Sequence, residues 1–174
     1  MRDTDDAPES DMVADAAADP EFEQFAHERH LERACELAEA AAARGDEPFG
    51  TVLVRDDEVV AEAKNRVVTD DDVRGHPELD LAAEAVRAFT PDERARTVMY
   101  TSTEPCPMCS GGLRYAGLGR VVYSVGSDEV AAFTGRGEPT VRSAEILDGV
   151  TEVVGPVAND RGRRVHEAYG WNEE

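Results

Sequence analysis

The stretch from His76 to Cys109 constrains this chain more than any other. It opens with His76-Pro77-Glu78 and closes with Pro105-Cys106-Pro107-Met108-Cys109. Imidazole nitrogen and thiolate sulfur are the donors zinc takes. Three protein ligands and an open position make a catalytic site, and four closed ligands a structural one. His76, Cys106 and Cys109 supply three, which predicts one zinc ion per chain. Glu78 is then a spare carboxylate, able to act on a water at the open position. Both halves of the pattern fall at predicted helix starts, where partial positive charge favours thiolate over thiol. Pro107 suits a first helical turn, which has no use for its missing N–H. Pro77 holds the residue before it out of the helical region, so His76 is expected as the capping residue. A structural zinc site would need a fourth His or Cys at matching spacing, and none is present. A redox CxxC would leave His76-Pro77-Glu78 without a purpose. Glu78 taken alone would read as an ordinary first-turn glutamate; its place two residues after His76 gives it the functional reading.

The chain carries 38 acidic against 18 basic residues, a net charge of −20, and its only lysine is Lys64. Such a surface repels polyanions at low ionic strength and counts against a nucleic-acid partner, which needs clustered Lys and Arg. It also suggests a halophile's protein, kept soluble in very high salt. At multimolar salt the objection to nucleic acid weakens, because the screening length falls to about 3 Å at 1 M. No apolar run is long enough to span a membrane and no signal peptide is read, so the expected location is the cytoplasm. Three cysteines argue against a disulfide framework, and Cys35 reads as a small buried core residue.

Residues 1–20 read as a disordered acidic tail and 21–174 as one domain. A helix is expected from Glu21 to Arg44, with Phe25, Leu31, Ala34, Cys35, Ala38 and Ala41 as its apolar stripe and Gly45 as its stop. His27 and His30 are expected on its solvated face. Strands Phe49–Val54 and Val59–Ala63 flank an Asp56-Asp57 turn, and residues 66–75 read as a polar loop. Next come a helix over Pro77–Phe89 with Leu81, Ala82, Ala85, Val86 and Phe89 facing inward, and a strand over Arg96–Thr101. A helix from Pro107 to Gly117 and a strand over Arg120–Ser124 follow. The last elements are a short helix over Ser127–Thr134, a fifth strand over Thr151–Val154 and a helix over Asn159–Tyr169. This alternation predicts an α/β protein with helices on both faces of one sheet. The strand–helix–strand step from 96 to 124 predicts a parallel pair.

His-x-Glu followed by Pro-Cys-x-x-Cys is the signature of zinc deaminases that act on nucleobases. The flanks agree in order and spacing: Glu47-Pro48-Phe49-Gly50 and Asn65-Arg66 upstream, Thr103-Glu104 before the cysteines, and Gly119-Arg120-Val121-Val122-Tyr123 downstream. Over roughly residues 25–125 the chain resembles the cytidine deaminase-like superfamily, in the branch of guanine, cytosine and tRNA adenosine deaminases. The resemblance implies a three-layer α/β/α sandwich around a mixed five-stranded sheet, and a homodimer or higher oligomer. It implies zinc on His76, Cys106 and Cys109, proton transfer by Glu78, and a base contact from Asn65. Phe49 reads as core or pocket wall. Relatives most often have a small residue where this chain has Pro77, and its N–H commonly contacts the base; proline has none. The acidic base contact of guanine deaminases has only Asp128 and Glu129 as candidate counterparts. A C-terminal aromatic segment closes over the base in some members, so Tyr169 or Trp171 is expected either as such a lid or as an anchor for the last helix. The expected substrate is a small-molecule base or nucleoside, first a guanine-type purine, then cytosine. A tRNA adenosine is third, and a non-catalytic zinc-stabilised interaction domain is the alternative of another class.

Overall fold

The computed structural model describes residues 21–171; the predicted acidic tail lies outside them. A 3₁₀ turn, Phe22–Gln24, leads into α1, His27–Ala43. The hairpin β1 (Gly50–Arg55) and β2 (Glu58–Lys64) follows, then α2 (Val67–Asp70), α3 (Pro77–Ala88) and α4 (Pro91–Ala95). β3 (Val98–Thr103), α5 (Pro107–Ala116) and β4 (Arg120–Val125) form the predicted parallel step. The chain ends with α6 (Ser127–Thr134), α7 (Ser143–Ile146), β5 (Glu152–Val154) and α8 (Asn159–Tyr169).

The five strands are ordered β2-β1-β3-β4-β5, with β1 antiparallel to β2 and β3, and β3, β4 and β5 mutually parallel. Side chains alternate across a strand, and the two faces therefore collect different partners. Leu53, Met99 and Val121 point to one side and pack with Leu81, Ala82 and Ala85 of α3 and Leu113 and Ala116 of α5. Val52, Val54, Val98, Tyr100 and Val122 point to the other and pack with Leu31 and Leu37 of α1. Cys35 and Ala38 of α1 meet Val165 of α8 in a third cluster. The result is the expected three-layer sandwich on a mixed sheet. Gly50 sets the spacing of one layer. A Cβ there would come within 2.3 Å of the Ala34 carbonyl oxygen and 2.5 Å of the Ala38 nitrogen, so only glycine lets α1 lie this close to β1.

Several expectations need correction. The first helix is interrupted, because Phe25 is extended (φ −70°, ψ 147°). His30 is buried, not solvated: its Nε2 is 2.7 Å from Asp57 Oδ1. His27 Nδ1 is 2.7 Å from the Tyr100 hydroxyl. Asp56 and Asp57 both take positive φ, as a two-residue hairpin turn needs. That turn folds back over the helix, a contact helical periodicity cannot show. Val86 is 49% exposed, because it is one residue past Ala85, which points into the core, and so rotates outward. The 66–75 segment contains α2, whose Val68 and Thr69 N–H groups donate to Asp46, a cap supplied from before the hairpin. α4 and α7 were not expected. Among the described residues no helix is long and apolar enough to cross a membrane.

Candidate active site

Both halves of the sequence pattern fold as helix N-termini. His76 is the N-cap of α3 with extended backbone (φ −90°, ψ 130°), and Pro77 occupies the first turn. Cys106 is the N-cap of α5, again with proline in the first turn. The two helices pack against each other, which brings the donors together. His76 Nδ1 is 3.6 Å from Cys106 Sγ and 3.4 Å from Cys109 Sγ, and the three ligand atoms all lie within 4.8 Å of one another. Zinc bonds to nitrogen and sulfur of about 2.05 and 2.3 Å, at the tetrahedral angle, give a nitrogen–sulfur edge of about 3.6 Å. The donor set and its spacing therefore fit a metal ion. The Cys106 thiol is pulled down to about 4, first by a hydrogen bond from Cys109 and then by His76, against the effect of burial. Cys109 moves the opposite way because its proton is held on Cys106 and it is deeply buried. His76 is raised by its hydrogen bond to Cys106.

Glu78 sits beside this group. It is buried, and burial pushes its carboxyl up to about 7. Its Oε2 is 3.8 Å from Cys109 Sγ. Its Oε1 accepts from the Thr101 hydroxyl at 2.9 Å, and Thr101 in turn accepts from Thr51 at 2.9 Å. Two threonines on adjacent strands thus hold one carboxylate oxygen and leave the other beside the donor set.

These residues open onto a cavity of about 310 Å³. His76, Glu78 and Cys106 border it, and its walls include Phe49, Thr103, Val130 and Pro139. Phe49 is thus pocket wall. Arg136 fastens one wall: it donates to Glu47 at 2.6 Å and lies over the Trp171 ring at 5.4 Å. Asn65 is not among the lining residues, although Phe49, whose carbonyl accepts its N–H, is. It is fully buried; its Oδ1 accepts from Val67 N–H at 3.1 Å, and its Nδ2 has no hydrogen-bond partner. Asp128 and Glu129 do not border the cavity. Asp128 faces Arg142, and Glu129 is taken by Arg163 and Asn159. Tyr169 and Trp171 do not border it either; Trp171 packs behind Phe49, ring centroids 5.9 Å apart.

Sequence reasoning missed Thr101 and also Glu104. Glu104 is buried one residue before Pro105 and accepts from Arg142, Ser127 N–H and Ser143. These contacts hold its carboxyl down near 2 against burial. A carboxylate in this place was visible in the sequence; its partners, up to 39 residues away, were not.

The fold agrees with what the chain is similar to. The family model of the MafB19-like deaminases matches residues 25–155, and the chain belongs to that family of cytidine deaminase-like enzymes. It is a hydrolytic deaminase of the nucleobase or nucleoside type. A probable cytosine deaminase of Schizosaccharomyces pombe is 33% identical over 150 residues, covering 80% of this chain and 90% of that one. The guanine deaminase of Bacillus subtilis is 36% identical over 106 residues, 60% of this chain and 68% of that one. Among solved structures, a variant of NE0047 in complex with 8-azaguanine superposes with a TM-score of 0.73 at 25% identity, covering 83% of this chain and 85% of that one.

Proposed function

We propose that this enzyme deaminates a free base, a guanine-type purine first, with one zinc ion on His76, Cys106 and Cys109. The observation that carries the reading is the juxtaposition of a three-donor group, a buried carboxyl at Glu78 and a small cavity with one aromatic wall. At about 310 Å³ the cavity is at the small end of ligand pockets, which suits a base. The likeness to guanine deaminase and to a protein holding 8-azaguanine supports a purine. Cytosine is the second reading, because the probable cytosine deaminase is matched over 90% of its length.

Zinc, when bound, supplies a Lewis acid that lowers the pKa of water to near 7. Glu78 takes a proton from the attacking water as its oxygen bonds to the ring carbon bearing the amine, and passes it to the adjacent ring nitrogen. A second proton goes through Glu78 to the exocyclic amine as the C–N bond breaks, and ammonia leaves. Thr101 holds Oε1 through these transfers, so Oε2 is the oxygen that carries the protons. Asn65 Nδ2 is a buried donor without a hydrogen-bond partner, and leaving such a group unpaired costs about 1–3 kcal/mol; the base contact that the family resemblance implies requires its side chain to turn toward the cavity, which it does not line. The homodimer implied by family resemblance is supported by Met108 and Tyr115, exposed on α5, the latter at 90%.

The test is ammonia release from guanine, adenine, cytosine and their nucleosides, by zinc-loaded protein in molar KCl. Guanine should be turned over fastest. A preference for cytosine would select the second reading, and activity on tRNA alone would overturn both.

The acidic surface leads to a separate expectation. At low ionic strength the excess carboxylates repel one another over about 10 Å, and the compact state concentrates them. The melting temperature should therefore rise steeply between about 0.1 and 2 M KCl. A flat profile would count against the halophilic reading.

A further inference from the structure

His166, on α8, is buried between aromatic rings behind two residues of the cavity wall, Phe49 and Thr103. Its ring stacks on Phe133, with centroids 5.3 Å apart and planes 16° apart, and Phe49 lies 5.9 Å away. After α8, Gly170 takes a left-handed conformation (φ 66°), and the chain turns so that Trp171 comes back beside the imidazole. The Trp171 and His166 planes are only 19° apart, and Trp171 Nε1 is 3.1 Å from His166 Nδ1. The indole N–H therefore meets a ring nitrogen of the imidazole directly.

This contact fixes the tautomer. An indole nitrogen can only donate, so Nδ1 must be the acceptor and carries no proton. The neutral imidazole then has its proton on Nε2. Burial keeps the ring neutral, lowering its pKa to about 4, with Glu129 and Arg163 as the charged groups acting on it in opposite directions. His166 Nε2 is 3.2 Å from Thr103 Oγ1. It is consequently the donor, and the threonine oxygen accepts. The single hydroxyl proton of Thr103 cannot point at His166. Among the described residues the hydroxyl has no other hydrogen-bond partner, and Thr103 borders the cavity together with His76, Glu78 and Cys106.

We propose that Thr103 is a specificity-determining residue, whose hydroxyl donates to an acceptor atom of the bound base. The donor sense is imposed from behind by the chain Trp171 to His166 to Thr103. The pocket then selects a carbonyl oxygen or an unprotonated ring nitrogen at that position and rejects an amino group there. Trp171 and His166 are positioning residues, acting through Thr103. This inference rests on the deaminase reading of the same cavity.

The test has a kinetic and a spectroscopic arm. Thr103→Val keeps the shape and removes the donor. It should raise KM for the best base of the panel about tenfold, the loss of one hydrogen bond, with kcat changed far less. Thr103→Ser should restore KM to near the wild-type value. Trp171→Phe should raise KM in part, because His166 can then take the other tautomer. Nitrogen-15 NMR of the wild-type protein should show His166 with a bare Nδ1 and a protonated Nε2, and Trp171→Phe should disturb that pattern. A KM for Thr103→Val within twofold of wild type, or a wild-type His166 protonated on Nδ1, would overturn the proposal. If wild-type protein turned over no base, the substrate reading would fall with it, while the NMR arm would still decide the direction of the hydrogen-bond chain.

Discussion

Glu78→Gln should keep its zinc and lose about 10²–10⁴-fold in kcat, the usual contribution of a positioned acid–base group. The substitution is nearly isosteric. A glutamine oxygen can still accept the Thr101 hydroxyl bond that Oε1 accepts now, so the side chain should stay in place. What is lost is the proton carrier, since an amide does not take up and release protons near neutral pH. The metal content should not change, because the proposed donors are His76, Cys106 and Cys109. Cys106→Ala gives the contrasting result: one of three donors is gone, and both bound zinc and turnover should fall together. Kinetics and elemental analysis on the same preparations separate the two. Full activity in Glu78→Gln would refute the mechanism, and unchanged zinc in Cys106→Ala would refute the donor set.

The grouping of His76, Cys106 and Cys109 was legible because each half of it is local. His76-Pro77 and Cys106-Pro107 each write a helix start into consecutive residues, and the predicted helices over Ser127–Thr134 and Asn159–Tyr169 have the bounds observed. The alternation of strands and helices likewise specified the layers. What stayed hidden was whatever a distant segment supplies. Asp57 turns His30 from a surface residue into a buried one, and Asp46 makes a helical turn of a polar loop. The Thr103–His166 contact spans 63 residues and involves a threonine, a residue type that carries no chemical signature of its own. One miss was avoidable. Thr90-Pro91-Asp92-Glu93 is a capping box, with Thr90 Oγ1 accepting from Glu93 N–H and Glu93 accepting from Thr90 N–H, and that pattern announces α4 in the sequence.

Glu104→Ala should destabilise the fold by about 2–4 kcal/mol, because two buried donors lose their acceptor at about 1–3 kcal/mol each. Glu104 is 6% exposed. It accepts from Arg142 Nε at 3.1 Å and Nη2 at 2.5 Å, from the Ser127 N–H at 2.9 Å and from the Ser143 hydroxyl at 2.7 Å. One carboxylate therefore joins the end of β3, the start of α6 and the start of α7. Alanine would leave the Ser127 and Ser143 donors buried without an acceptor, while the partly exposed Arg142 turns to water. For a domain of this size each kcal/mol corresponds to about 2–4 °C in melting temperature, so the transition should fall by roughly 10 °C. Salt distinguishes this loss from the general effect of the acidic surface. A buried pair is screened far less than exposed charges, so the deficit of Glu104→Ala should be nearly the same in 0.1 and 2 M KCl although both proteins melt higher in the latter. The kinetics should move as well. Ser127, Val130, Arg136, Gly137 and Pro139 wall the cavity on or between the two segments that Glu104 ties down, so loosening them should raise KM more than it lowers kcat. A deficit that disappears in 2 M KCl would mean that Glu104 contributes only as one more surface charge, and the assigned network would be wrong.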